Sequence, residues 1–206
     1  MKSFLLCSFL LVFVSCASYT KDFEPKERTI ERFTPEYLKD FEEKSFKISI
    51  ESYGNNFGGI LVAKKLNVNH YRLAFLNEFG GKMLDFEIIN RELKLNYAIE
   101  QLDKKILLNL LEKDFVMLFS EENLIENEFT QNENLILQTE KFIGNKNLFY
   151  ELNPAGNLKK ITLVKNKEKA SIKLIYNVKQ FPDIEILHGK MPIKIYLHLL
   201  NNPLEN

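Results

Sequence analysis

The sequence predicts a mainly β, α+β fold: one long antiparallel sheet of about ten or eleven strands, curled or closed on itself, with two or three helices. Three observations carry this. Short segments such as FKISIESY and KMLDFEII alternate apolar and polar residues with period two. Brief turns rich in Asn and Gly separate them, which implies antiparallel neighbours in a meander. One stretch, LDKKILLNLLEKDFVMLF, breaks the pattern with helical spacing. An antiparallel sheet of that size must curl or close to protect its faces.

The elements begin with a processing segment. Lys2 is followed by an apolar run from Phe4 to Val14, too short for a comfortable membrane span but fitting the h-region of a secretory signal. Ser15-Cys16 closes the run and resembles a bacterial lipobox, in which the signal is cut before a cysteine that then carries acyl chains. Residues 1–15 are therefore expected to be a lipoprotein signal peptide, Cys16 the lipidation site, and 16–33 a polar lipidated tether. The cysteines are Cys7 and Cys16, so a mature chain would have neither a disulfide nor a cysteine-ligated zinc site. Residues 34–206 form a single domain in this reading.

Thr34-Pro35 opens a short helix whose Tyr37, Leu38 and Phe41 share a face. Strands follow at FKISIESY, GGILVAKKL, HYRLAFLN, KMLDFEII and ELKLNYAI. In the amphipathic helix, with Asp103 as its expected N-cap, Leu107, Leu110, Leu111, Phe115 and Leu118 share a face. Residues 120–134, acidic and rich in Asn, read as a loop. The chain then returns to strands at LILQTEKF, LFYEL, LKKITLVK, ASIKLIYN, DIEILH and PIKIYLHLL. Several strands are apolar on both faces, Leu73-Ala74-Phe75-Leu76 among them, so both faces of the sheet need cover.

Basic and acidic residues number 28 each, giving zero formal net charge, and no basic block marks a nucleic-acid footprint. His70, His188 and His198 stand at no metal or relay spacing, and no hydrolase, metalloprotease or phosphate-loop motif occurs. The chain reads as a non-enzyme without catalytic residues, metal or cofactor.

Several short motifs follow one another along the chain in a recognisable order. They are Gly59-Ile60-Leu61, Tyr71-Arg72-Leu73, Asn77-Glu78-Phe79-Gly80 and Leu84-Asp85-Phe86-Glu87, then the helix after the fifth strand. Gly156-Asn157-Leu158, Pro182-Asp183-Ile184-Glu185-Ile186 and Ile193-Lys194-Ile195 continue the series, and in this order the motifs resemble the LolB family of outer-membrane lipoprotein receptors over roughly residues 46 to 200. The resemblance implies an unclosed β-barrel plugged by helices, shared with the periplasmic carrier LolA. It implies an apolar interior that holds acyl chains of lipoproteins or another lipid, received from a LolA-like carrier. It also implies a lipid-anchored protein of the bacterial envelope. Ala17, rather than Asp, after Cys16 favours the periplasmic face of the outer membrane.

Two sites follow. The turn carrying Phe79, Gly80 and Gly81 matches the position of the family's membrane-inserting residue. From the residues alone, Phe79 is either such a wedge or a cap folded over the barrel end. Leu61, Leu73, Phe75, Leu84, Phe86, Leu93, Leu95, Leu107 and Leu111 are candidates to line an apolar cavity, or else to form packed core.

Overall fold

The computed structural model describes residues 19–176 and 181–200. The expected signal peptide and Cys16 lie outside these residues. The polar N-terminal stretch contributes β1 (Glu24–Lys26) and β2 (Arg32–Phe33), followed by α1 (Glu36–Lys39). A meander comes next: β3 (Glu43–Ser52), β4 (Asn55–Asn67), β5 (His70–Leu76), β6 (Lys82–Ile89) and β7 (Glu92–Ala98). The helix α2 (Lys105–Leu118) leads to a second meander. This runs through β8 (Asn123–Gln131), β9 (Asn134–Ile143), β10 (Lys146–Leu152), β11 (Leu158–Val164), β12 (Glu168–Ile175), β13 (Asp183–His188) and β14 (Ile193–Leu199).

All fourteen strands belong to one antiparallel sheet, in the order β1-β8-β9-β10-β11-β12-β13-β14-β3-β4-β5-β6-β7, with β2 also on β8. The two meanders join where β14 pairs with β3, from Ile193 opposite Ser52 to Leu199 opposite Phe46. Among the described residues β7 pairs with no strand beyond β6, so the barrel is unclosed. Antiparallel alternation puts the β9–β10, β11–β12, β13–β14, β3–β4 and β5–β6 turns on one rim.

The inner face follows the period of two. Phe46, Ile48 and Ile50 of β3 are buried, as are Leu61 and Ala63 of β4 and Tyr71, Leu73 and Phe75 of β5. α2 lays its buried side, including Leu107, Leu111 and Phe115, into this face, and the Phe115 ring lies 5.3 Å from that of Phe86. α1 docks at its far end: the Tyr37 hydroxyl donates to the Leu118 carbonyl at 2.8 Å, satisfying one of the free acceptors of a helix C-terminus. Gly59 is required by packing. A Cβ there would sit 2.0 Å from the Leu76 carbonyl oxygen on the neighbouring strand.

Four expectations are corrected. Residues 123–131 are strand β8, not loop. Their polar side chains disguise the strand, because buried Glu128 faces backbone donors: the amides of Thr29 and Ile30 reach it at 2.6 Å. The stretch expected as tether is thereby docked on the sheet over β1 and β2. The N-cap of α2 is Lys104, extended and without a side-chain cap bond, rather than Asp103. The Thr34 hydroxyl, expected to cap α1, instead accepts the Glu122 amide at 3.0 Å.

The second apolar face is covered as well. Ile136, Phe149 and Val164 form a separate cluster beneath Tyr19, Phe23 and Phe129. The Tyr19 ring stands edge-on to Phe149 at 4.9 Å. Aromatic residues of the N-terminal segment thus shield the outside of β9–β11, which removes apolar area from water without a helix.

Candidate functional site

The β5–β6 turn is built by Asn77. Its Oδ1 accepts the amides of Phe79 at 3.0 Å and Gly81 at 2.8 Å, while its carbonyl accepts the Gly80 amide at 3.0 Å. Gly80 has φ +80°, a left-handed conformation that favours glycine. A Cβ on Gly81 would meet the Asn77 amide group at 2.9 Å. These constraints account for Asn77, Gly80 and Gly81, but not for Phe79, whose side chain is 96% exposed.

A second turn in the same chain isolates the ring. At Asn153-Pro154-Ala155-Gly156-Asn157 the Asn153 carbonyl accepts the Gly156 amide at 2.8 Å, and its Oδ1 accepts the Asn157 amide at 2.9 Å. Gly156 has φ +85°. The first and last residues close on each other as they do in the other turn, Asn153 N donating to Asn157 O at 2.9 Å and Asn77 N to Gly81 O at 2.8 Å. Ala155 occupies the position of Phe79. The turn therefore forms without an aromatic ring, and the ring caps no core.

The expected cavity-lining residues separate into groups. Leu61, Leu73, Phe75, Leu84, Phe86, Leu107 and Leu111 lie in the principal core. Leu61, Leu73, Phe75 and Phe86 are at most 1% exposed, leaving no room for a water molecule beside them. Leu93 is half-buried against the same core. Leu95 is a correction: it is 39% exposed. It shares the register of buried Phe86, but β7 is the sheet edge and no further strand covers it.

Among the described residues, one open space lies at the rim that carries Phe79. A cavity of about 400 Å³ sits between α2 and the ends of β10–β13, within the usual size range of small-ligand sites. Buried Leu110, Leu163 and Ala170 give it an apolar floor, and Met191 and Ile106 add apolar flanks. Lys113, Lys146, Lys167, Lys169 and Lys190 surround them. Among the described residues none of these ammoniums has a carboxylate partner, while pocket-lining Glu168 is held by Lys160 at 3.0 Å. Burial, and then the like charges of Lys113, Lys165 and Lys169, hold Lys146 below the ordinary lysine pKa.

The wall of the cavity contains a buried pair that sequence spacing did not reveal. His188 Nδ1 faces the Ile193 carbonyl at 2.9 Å, and its Nε2 faces both Asp114 oxygens at 3.0 Å. A carbonyl only accepts, so Nδ1 carries a proton. A second proton must lie between Nε2 and Asp114, either as an imidazolium–carboxylate pair or on the acid. Burial pushes the Asp114 carboxyl up against the opposing pull of His188. Burial lowers His188, but Asp114 outweighs it and leaves the imidazole above its ordinary value.

The chain is thus an open antiparallel barrel with a helix across its concave face, an exposed apolar turn and a rim cavity. Among solved structures, a LolA superfamily protein from Nitrosomonas europaea is similar, with a TM-score of 0.50 at 8% identity over 77% of this chain and 83% of that one. A DUF1329 family protein from Desulfovibrio piger aligns over 80% of this chain and 86% of its own, at 8% identity and a TM-score of 0.45. No family model and no curated protein matches the chain. The first likeness concerns the fold: this chain shares an open-barrel fold with that LolA superfamily protein.

Proposed function

We propose that this protein is a lipid-anchored, non-catalytic envelope lipoprotein that binds acyl chains of lipoproteins or related amphiphiles and helps insert them into the outer membrane. The single observation that carries the reading is Phe79, exposed on a turn that Ala155 shows to be stable without it. Leaving a phenylalanine in water forgoes about 1.5–3 kcal/mol, which a bilayer interface would return. That gain corresponds to roughly ten- to hundredfold in membrane affinity. Cys16 would hold the protein at the membrane, a LolA-like carrier would supply the cargo, and transfer would follow the difference in affinity between apolar environments.

The test is insertion into a lipid monolayer by the purified protein and its Phe79→Glu variant. The variant is expected to lose most of the rise in surface pressure while keeping its unfolding midpoint. Equal insertion by both proteins would sink the wedge.

A second reading has its own support in the filled interior around Leu61, Leu73 and Phe75. In it the lipoprotein is a scaffold or assembly partner that takes no acyl chain. Native mass spectrometry of gently purified protein separates the two: retained lipid supports the first, and a lipid-free protein with a stable membrane-protein companion supports the second.

A further inference from the structure

We infer that the lysine-ringed cavity between α2 and β10–β13 is a binding site for an amphiphile with an anionic, phosphate-type head and an apolar chain. This rests on the reading that the protein handles lipid, and it names which lipid chemistry and where. Four separate segments supply the ammoniums: Lys113 from α2, Lys146 from the start of β10, Lys167 and Lys169 from the β11–β12 turn and start of β12, and Lys190 from the β13–β14 turn. A solvated lysine face would spread outward. Here Lys113 and Lys146 are half-buried at the wall and the others stand exposed at the mouth.

Positive charge is in excess, since of the five ammoniums Lys113 alone feels a carboxylate of the cavity, Asp114, among the described residues. Both carboxylates of the cavity are held by other groups, Glu168 by Lys160 and Asp114 by His188 in the cavity wall. Converging ammoniums without counter-charges repel one another, and a phosphate-type anion relieves that repulsion while accepting several N–H bonds. Beneath the charges, Leu110, Leu163 and Ala170 offer hydrocarbon and no donor or acceptor side chain. A free phosphate would leave that floor unused. An alkyl chain attached to the head would cover it.

The position favours arrival from a membrane. The cavity opens at the β9–β10, β11–β12 and β13–β14 turns, on the same rim as the Phe79 turn; the nearest of them, β13–β14, is four strands away, about 20 Å at ordinary strand spacing. A rim that contacts a bilayer through Phe79 brings the lysines to the headgroup layer, where each adds attraction to anionic lipid.

The full-length protein, held in nanodiscs of neutral lipid, tests this with a diazirine-tagged dodecyl phosphate. Peptide mass spectrometry maps the label, and three competitors are compared: dodecyl phosphate, dodecyl maltoside and inorganic phosphate. Labelling is expected on α2 and β11–β13. Dodecyl phosphate should displace the probe at least tenfold more effectively than dodecyl maltoside, and inorganic phosphate should fail even at hundredfold excess. The double variant Lys113→Gln, Lys146→Gln should weaken binding tenfold or more with its unfolding midpoint preserved. Equal displacement by dodecyl maltoside would overturn head-group recognition, and equal displacement by inorganic phosphate would overturn the amphiphile. Label confined to other segments would overturn the location. Any of these failures alongside intact Phe79-dependent monolayer insertion leaves the membrane reading standing and removes only the pocket.

Discussion

His188 Nε2 lies 3.0 Å from both carboxylate oxygens of Asp114, although 74 positions separate the two residues. The contact ties the middle of α2 to the end of β13 inside a buried wall. Removing one partner of such a pair costs about 3–5 kcal/mol, because the other is left buried and uncompensated. Asp114→Leu is therefore expected to lower the urea unfolding free energy by about that amount. The double variant Asp114→Leu, His188→Leu should recover part of it.

The same pair sets a pH dependence. The folded pKa of His188 is raised above its unfolded value. Its contribution is fully present below about pH 6.5 and is lost as pH rises through the folded value. The raised Asp114 acts in the same direction at lower pH, since the native state holds the proton more tightly. Denaturant midpoints measured from pH 6 to 9 should fall with rising pH in the wild type, and the slope should flatten in His188→Leu.

Asp85 has the opposite sign. Buried on the outer side of β6, it accepts hydrogen bonds from Arg72 at 2.9 and 3.2 Å, from Lys82 at 2.8 Å and from Asn96 at 3.3 Å. The Arg72 guanidinium, aided by Lys82 and Asn96 against the cost of burial, holds its carboxyl well below the usual carboxylate range. Its contribution is present above the unfolded value of about 3.9 and is lost as pH falls toward the folded one. Asp85→Asn is expected to cost about 1–2 kcal/mol at pH 7, since its cationic partners are half exposed, and to flatten the acid limb of a pH titration of stability.

Gly59→Ala should destabilise by about 2–3 kcal/mol, because its methyl would meet the backbone of Leu76 rather than a side chain that can turn away. Chemical denaturation should show a lower midpoint with an unchanged m-value. Phe79→Ala makes the reverse case. It should shift stability by less than about 0.5 kcal/mol, as Ala155 holds the same place in its own turn.

Tyr150 offers a gain. Its ring packs against Phe33 at 4.8 Å, but among the described residues its buried hydroxyl has no hydrogen-bond partner. Tyr150→Phe removes the unsatisfied group and keeps the ring, so thermal unfolding should be unchanged or shifted upward by the equivalent of about 1 kcal/mol.

Much of this architecture is legible along the chain. Residues two apart share a strand face, so the burial of Phe46, Ile48 and Ile50 shows directly as alternation. Asn77-x-x-Gly80 and Asn153-x-x-Gly156 announce their turns because Asn supplies the side-chain acceptor and Gly the left-handed φ. β8 escaped because the carboxylate that interrupts its apolar pattern is satisfied by amides 98 and 99 residues away. Leu95 escaped because alternation assigns a face, not the presence of a neighbour to cover it.

By itself, the sequence determined most of the sheet-forming segments, though not β1, β2 or β8, together with the helix that crosses them, the turn that displays Phe79 and the expectation of a lipid anchor at Cys16. Each is written in neighbouring residues, where backbone preference and local periodicity act. Tertiary structure alone decided that the Phe79 ring stands in solvent, that Leu61, Leu73, Phe75 and Phe86 are packed core while Leu95 is exposed, and that five lysines and a buried His–Asp pair gather around one cavity. Those outcomes depend on which strand lies beside which. That order is fixed by pairing β14 to β3 and laying α2 across the sheet, and distant residues meet only once it is set.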